Sequence, residues 1–262
     1  MPGWLNAWTR WRENRTLVQR AIPDALWQLT LARFPFLSRR SADDVQRLRE
    51  FTTLFLADKE FAGAHGLHVD DEMAVAIAAQ ACLPVLKLGL HWYRDFKGIV
   101  VHADAVVAQR ELIDDDGVVH QYEEELSGEA MQGGPLMLSW QDVADAGSSA
   151  EWGYNVVIHE FAHVLDVRDG AGDGVTALPD RTARERWLQI LGDEYEAFCA
   201  DVDAGLDTLL DPYAAEAIEE FFAVAAEGFF VAPDDLQQVH PRVYELLTRF
   251  FRQDPVRDAH GH

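Results

Sequence analysis

Residues 156 to 166 constrain this chain more than any other stretch, because they must be helical, buried and chemically loaded at once. The run reads Val156, Val157, Ile158, His159, Glu160, Phe161, Ala162, His163, Val164, Leu165 and Asp166. Apolar residues flank the histidines almost all round, the pattern of a helix packed into a core rather than of a surface helix with a histidine pair. Two imidazoles and a carboxylate buried without partners are destabilising. Histidines four apart stand one turn apart on a single helix face, so both rings reach one point. A zinc ion at that point removes the penalty, and H-E-x-x-H is a spacing through which two histidines bind zinc. Glu160, beside the first histidine, is then placed to take a proton from a water at the ion's open position.

A catalytic zinc site needs a third protein ligand. Asp166 and Asp169 stand where a metzincin would carry Gly and His. Asp166 shares the face of His159, but a straight helix rarely turns three side chains onto one tetrahedral ion. The expected role of Asp166 is to accept the free N–H of a ligating histidine or to cap nearby backbone. Gly170, Gly172 and Gly174 mark the end of the helix and a loop. Further carboxylates lie between Asp211 and Phe230. Asp211 followed by Pro212 reads as an N-cap and first helical position. In one unbroken helix, Tyr213, Glu216, Glu220 and Glu227 fall near one face, with Glu219 beside them. Spacing alone leaves the choice among these glutamates open, and each has the ordinary reading of a solvated side chain.

The run from Gly134 to Val143, the run His159 to Asp166 with Arg168 to Gly170, and the runs Asp211 to Glu216 and Glu220 to Val224 together resemble the Mlc titration factor A family of bacterial zinc metallopeptidases. The likeness covers residues 15 to 255 or so and is most specific from 134 to 230. The same spacing also resembles the catalytic domain of anthrax lethal factor, a distant gluzincin. The resemblance implies a zincin-like fold, mostly helical, with a small mixed sheet before the H-E-x-x-H helix. It implies one Zn2+ per chain held by His159, His163 and Glu220, the last chosen because it begins the Glu-Phe-Phe-Ala run. It implies Glu160 as general base and Tyr213 as a hydroxyl that steadies the oxyanion. It further implies a cytosolic peptidase of aminopeptidase type that acts on small peptides and binds Mlc, a transcriptional repressor of sugar-uptake genes. The alternative is a repressor-sequestering binding protein whose zinc is structural or regulatory.

Along the rest of the chain, helical and period-two patterns alternate, and an α+β fold in one unit over residues 1 to 262 is the simplest account. Trp4, Trp8 and Trp11 belong to a helical N-terminal arm over residues 1 to 40, expected to pack its tryptophans on the core. Ser41 caps a helix to about residue 57, and Asp70 and Asp71 open another that ends near Pro84. Strands are expected at 98 to 102, 105 to 112 and 118 to 122, the last two joined by a hairpin turn at Asp114 to Gly117. A strand at 136 to 139 is the candidate sheet edge for an extended peptide. Helices follow at 180 to 201 and 241 to 251, then a flexible tail over 252 to 262. No run of apolar residues is long enough to cross a membrane, and the N-terminus lacks the apolar core of a secretory signal. Only Cys82 and Cys199 occur, too few for a disulfide framework, which fits a cytoplasmic location. A formal charge of −23 disfavours nucleic acid and anionic lipid as partners.

Overall fold

The computed structural model describes residues 3–104, 106–113, 119–126, 128–130, 134–146, 153–169, 172, 174–176, 178 and 180–260. Helices α1 (Gly3–Gln19), α2 (Asp24–Arg33), α3 (Ala42–Asp58) and α4 (Asp71–Cys82) lead into a sheet region, with β1 (Glu60–Gly63) lying between α3 and α4. The caps are where the sequence puts them. Ser41 accepts the N–H of Asp44 at the head of α3, and Asp70 that of Met73 at the head of α4. Each oxygen satisfies a backbone donor that the first helical turn leaves open.

Strands β2 (Gly98–His102), β3 (Val106–Ile113), β4 (Val119–Leu126), β5 (Gly128–Ala130) and β6 (Leu136–Ser139) follow. The main sheet runs β1-β2-β6-β5, with β1, β2 and β6 parallel and β5 antiparallel to β6. Ile99 pairs with Leu136 and Val101 with Leu138, and all four are buried, the period-two signature of a strand with one face in the core. β3 and β4 pair antiparallel as a separate hairpin. Its expected turn at Asp114 to Gly117 lies outside the described residues.

β6 is not a sheet edge. It sits between β2 and β5, so the expected peptide-binding edge at residues 136 to 139 is corrected. β5 takes that place because three residues, Gly128, Glu129 and Ala130, pair with β6 although none has strong strand preference. The sequence carries no signal for it.

After the sheet come α5 (Trp140–Asp145), α6 (Val156–Asp166), α7 (Arg181–Asp203), α8 (Ile218–Val231), α9 (Pro233–Val239), α10 (Pro241–Phe251) and α11 (Pro255–His260). α6 packs against α8. α8 is apolar over most of its surface, with Phe221, Phe222, Phe229 and Phe230 fully enclosed, and so forms the centre of the helical layer. Each such ring stabilises by about 1.5–3 kcal/mol through burial. The segment from 252, expected as a flexible tail, folds back instead. Gln253 donates to the carbonyl of Leu83 and accepts from Arg40, and the Tyr244 hydroxyl donates to Asp254. At the other end, Trp27 is buried, but Trp11 is 55% exposed with the Arg15 guanidinium over its ring. The expected packing of tryptophans on the core fails at that position. No helix among the described residues is long and apolar enough to cross a membrane.

Candidate metal centre

α6 enters the site from a fixed start. Asn155 is its N-cap, accepting the N–H of Ile158 at 2.9 Å. The Asn155 side-chain amide donates to Gln80 of α4 at 2.7 Å, and Gln80 in turn bonds the carbonyl of Ala76. The first turn of α6 is therefore tied to the core of the neighbouring helix. His159, Glu160 and His163 project from α6, and Glu220 and Glu227 from α8 across their packed interface.

The expected ligands meet. His159 Nε2 lies 3.1 Å from Glu220 Oε2, His163 Nε2 lies 3.3 Å from the same oxygen, and the two Nε2 atoms are 3.2 Å apart. Donors bound at about 2.1 Å in a tetrahedral zinc shell stand roughly 3.4 Å from one another. The triangle has the right size and the right atoms, two imidazole nitrogens and one carboxylate oxygen. Among the described residues this is the group of three that could hold a metal ion. The side chains are 13 to 18% exposed, so solvent reaches the point on which they converge. Glu216 is exposed and stays outside the group, as does Glu219.

Glu227 contributes something the spacing did not assign. Its Oε1 lies 2.8 Å from His159 Nδ1, and its Oε2 accepts the backbone N–H of Asn155. A carboxylate at Nδ1 places a hydrogen there and leaves Nε2 directed at the metal point. The same group that caps the approach to α6 thus orients its first histidine. Asp166 was the sequence candidate for that orienting role. It is fully buried and accepts the N–H of Gly174 at 3.0 Å, so it acts in the second role foreseen for it, capping backbone. Gly174 needs φ +72, and a Cβ there would meet the carbonyl oxygen of Ile218 at 3.0 Å. Its own carbonyl accepts from Trp187 Nε1, so the loop after α6 is pinned between α7 and α8.

Asp211 and Pro212 do not open α8. They open a single 3-10 turn, Pro212–Ala215, and the chain then extends at Ala217 before α8 begins. The unbroken helix expected from Tyr213 to Glu227 is corrected. The Asp211 side chain caps too early a turn, accepting from Tyr213 N, and α8 starts three residues beyond it. Tyr213 still reaches the site: its ring centroid is 6.2 Å from that of His159, and the residue is 40% exposed. Tyr195 of α7 holds the turn in place through the carbonyl of Ala215.

The electrostatics follow from burial. Burial opposes a charged His159, but its hydrogen bonds to Glu220 and Glu227 outweigh this and hold its pKa up at about 10. Burial pushes Glu220 upward, yet its bonds to the two histidines prevail and hold it down at about 2. Glu160 is pushed up to about 7 by burial, against the partial opposition of both histidines. Its Oε2 is buried with no hydrogen-bond partner among the described residues, an orphan oxygen beside the converging ligands.

Two results are expected from this geometry. Glu227→Gln presents an amide to two donors, His159 Nδ1–H and Asn155 N–H, and can accept from only one of them. Zinc affinity falls about 10- to 100-fold, measured by competition with a chromogenic chelator. Unchanged affinity would remove the orienting role. The second concerns protons. With its pKa raised, the metal-free His159 keeps its Nε2 proton at pH 7, and a metal must displace it. Zinc uptake therefore releases about one proton per site, and affinity rises with pH below about 10. Calorimetry in buffers of different ionisation enthalpy reads the release directly; the absence of any buffer dependence would contradict it.

A helix-borne His-Glu-x-x-His pair completed by a glutamate from a second buried helix defines a metallopeptidase-type centre. The model of the glucose-regulated metallo-peptidase M90 family matches residues 8–252, and the chain belongs to that family. An uncharacterized protein of Synechocystis is 37% identical over 252 residues, 95% of this chain and 90% of that protein. The Mlc titration factor A of an Enterobacter strain is 33% identical over 258 residues, covering 94% and 92%. That of Cronobacter sakazakii is 33% identical over 250 residues, covering 94% and 91%.

Proposed function

We propose that this chain is a zincin-like, zinc-dependent peptidase of aminopeptidase type, acting on small peptides in the cytosol. The observation that carries the reading is the triangle of His159, His163 and Glu220 beside the Glu160 carboxylate, whose Oε2 is buried with no hydrogen-bond partner among the described residues. The three donors fit zinc in kind and spacing. Bound there, zinc supplies Lewis-acid polarisation of a scissile carbonyl and acidifies a nearby water.

The chain's own residues do the rest. Glu160, whose pKa burial raises above the usual carboxylate range, stands beside the converging ligands. It takes the proton from the attacking water and returns it to the departing amine nitrogen as the C–N bond breaks. Tyr213, beside His159, offers its hydroxyl to the developing oxyanion. Glu227 fixes the ring of His159. Two cysteines, both free, agree with a reducing compartment.

The zinc-loaded protein is expected to hydrolyse aminoacyl-4-nitroanilides and short free-amine peptides. Removal of the metal with 1,10-phenanthroline stops turnover, and zinc restores it. A fully zinc-loaded protein that cleaves none of these substrates would defeat the peptidase reading. The names of two relatives favour a second role, capture of an Mlc-like repressor. Pull-down with Glu160→Gln separates the two: undiminished capture assigns a binding function that does not need hydrolysis, and no capture by either form removes the second role.

A further inference from the structure

A cavity of about 660 Å3 opens between α7 and α10, away from the residues of the metal centre. Its apolar lining comes from Leu88, Trp92, Trp187, Leu246 and Phe250. These walls are held from behind. The indole N–H of Trp187 donates to the Gly174 carbonyl at 2.7 Å, and both tryptophans meet the Phe250 ring edge to face. Trp92 is covered on another side by Arg168, whose guanidinium lies 5.0 Å from the ring and donates to the Trp92 carbonyl at 2.7 Å. A cavity of this size with rigid aromatic walls suits a small organic ligand, for which pockets run from about 300 to 1,000 Å3.

The rim has the opposite sign to the protein. Arg181, Arg186, Arg249 and Arg252 all line it, in a chain with 22 basic against 45 acidic residues. Arg181 and Arg249 are each partly neutralised by a glutamate one helical turn away, Glu185 and Glu245. Asp180, the carboxylate in the lining, is engaged as the cap of α7, accepting from Ala183. Arg186 and Arg252 have no ion pair among the described residues. Arg252 also stands at φ +55, ψ 35, a left-handed position just past the end of α10 where glycine is ordinarily favoured.

We propose that this cavity binds a small amphipathic anion, a monocarboxylate on a hydrocarbon or aromatic body, with the body against Leu88 and Trp92 and the carboxylate on Arg186 and Arg252. Guanidinium groups take carboxylates through paired hydrogen bonds, and the apolar walls take the remainder of the molecule. The proposal is independent of the metal centre and of any hydrolysis there.

Calorimetric titration of the zinc-loaded full chain with octanoate and with octan-1-ol tests it, with tryptophan fluorescence followed in parallel. Saturable binding of one octanoate per chain is expected, at least tenfold tighter than the alcohol, with a change in tryptophan emission. The double variant Arg186→Ala, Arg252→Gly weakens octanoate at least tenfold and keeps the zinc content. Arg252→Gly alone does not lower Tm, because glycine accepts φ +55 freely, so weaker binding in it is not a folding defect. Binding that does not saturate, equal affinity for the alcohol, or undiminished affinity in the double variant would overturn the proposal. An acidic amphipathic peptide that binds here while octanoate does not would overturn it in favour of a protein partner.

Discussion

Glu220→Ala yields a protein without zinc. The substitution removes the one member of the three-residue group among the described residues that comes from outside α6, and leaves two histidines on one helix. Two neutral nitrogens with solvent elsewhere hold zinc far more weakly than a three-ligand site. The metal content of the dialysed protein is expected to fall from about one per chain to below roughly a tenth, since binding free energy comes from the full ligand set. The result is specific because Asp166→Ala behaves differently. Asp166 accepts the backbone N–H of Gly174, so its loss is expected to lower stability by about 1–3 kcal/mol and to leave the metal in place. Elemental analysis with thermal unfolding of both variants reads the contrast. A metal-free Asp166→Ala beside a zinc-replete Glu220→Ala would reverse the assignment of the third ligand.

Glu160→Gln separates chemistry from binding. Glu160 lies outside the triangle of donors, and its Oε2 has no hydrogen-bond partner among the described residues. A glutamine keeps the volume and removes the proton-accepting charge. Zinc content and Tm are expected to stay close to those of the parent. Tm holds or rises slightly, because a buried carboxyl whose pKa burial has raised is replaced by a neutral amide. Peptide hydrolysis falls at least about 100-fold, the usual contribution of a positioned base. Steady-state kinetics on a free-amine peptide, at matched zinc occupancy, makes the comparison. Full activity in this variant would exclude Glu160 as the base.

How far the sequence reached depends on where the information lay. The metal helix was legible because His159, Glu160 and His163 are adjacent in sequence and their apolar flanks exclude a surface helix. Glu220 was legible only as one of several glutamates until the family likeness singled it out, since α6 and α8 are brought together by packing that no local pattern encodes. Glu227 lies two turns beyond Glu220 on the same face, so the spacing carried a trace of it. Its actual partner, His159 Nδ1, is 68 residues away in sequence and could be found only in three dimensions. The start of α8 is hidden because Asp211 and Pro212 are good helix openers that here open one 3-10 turn. β5 is not legible in the sequence because Gly128, Glu129 and Ala130 become a strand through pairing with β6 and not through their own preference. The fold-back after 252 is hidden for a related reason: what holds it is Gln253 on the Leu83 carbonyl, just past α4, and Asp254 on Tyr244 of α10.

The decisive measurement is an anomalous-difference map collected at the zinc absorption edge from crystals of the zinc-loaded protein. One peak is expected per chain, within about 2.0–2.2 Å of His159 Nε2, His163 Nε2 and a Glu220 carboxylate oxygen, with the remaining position open to solvent. A peak held elsewhere, or one whose fourth position is closed by a protein side chain, would contradict the account.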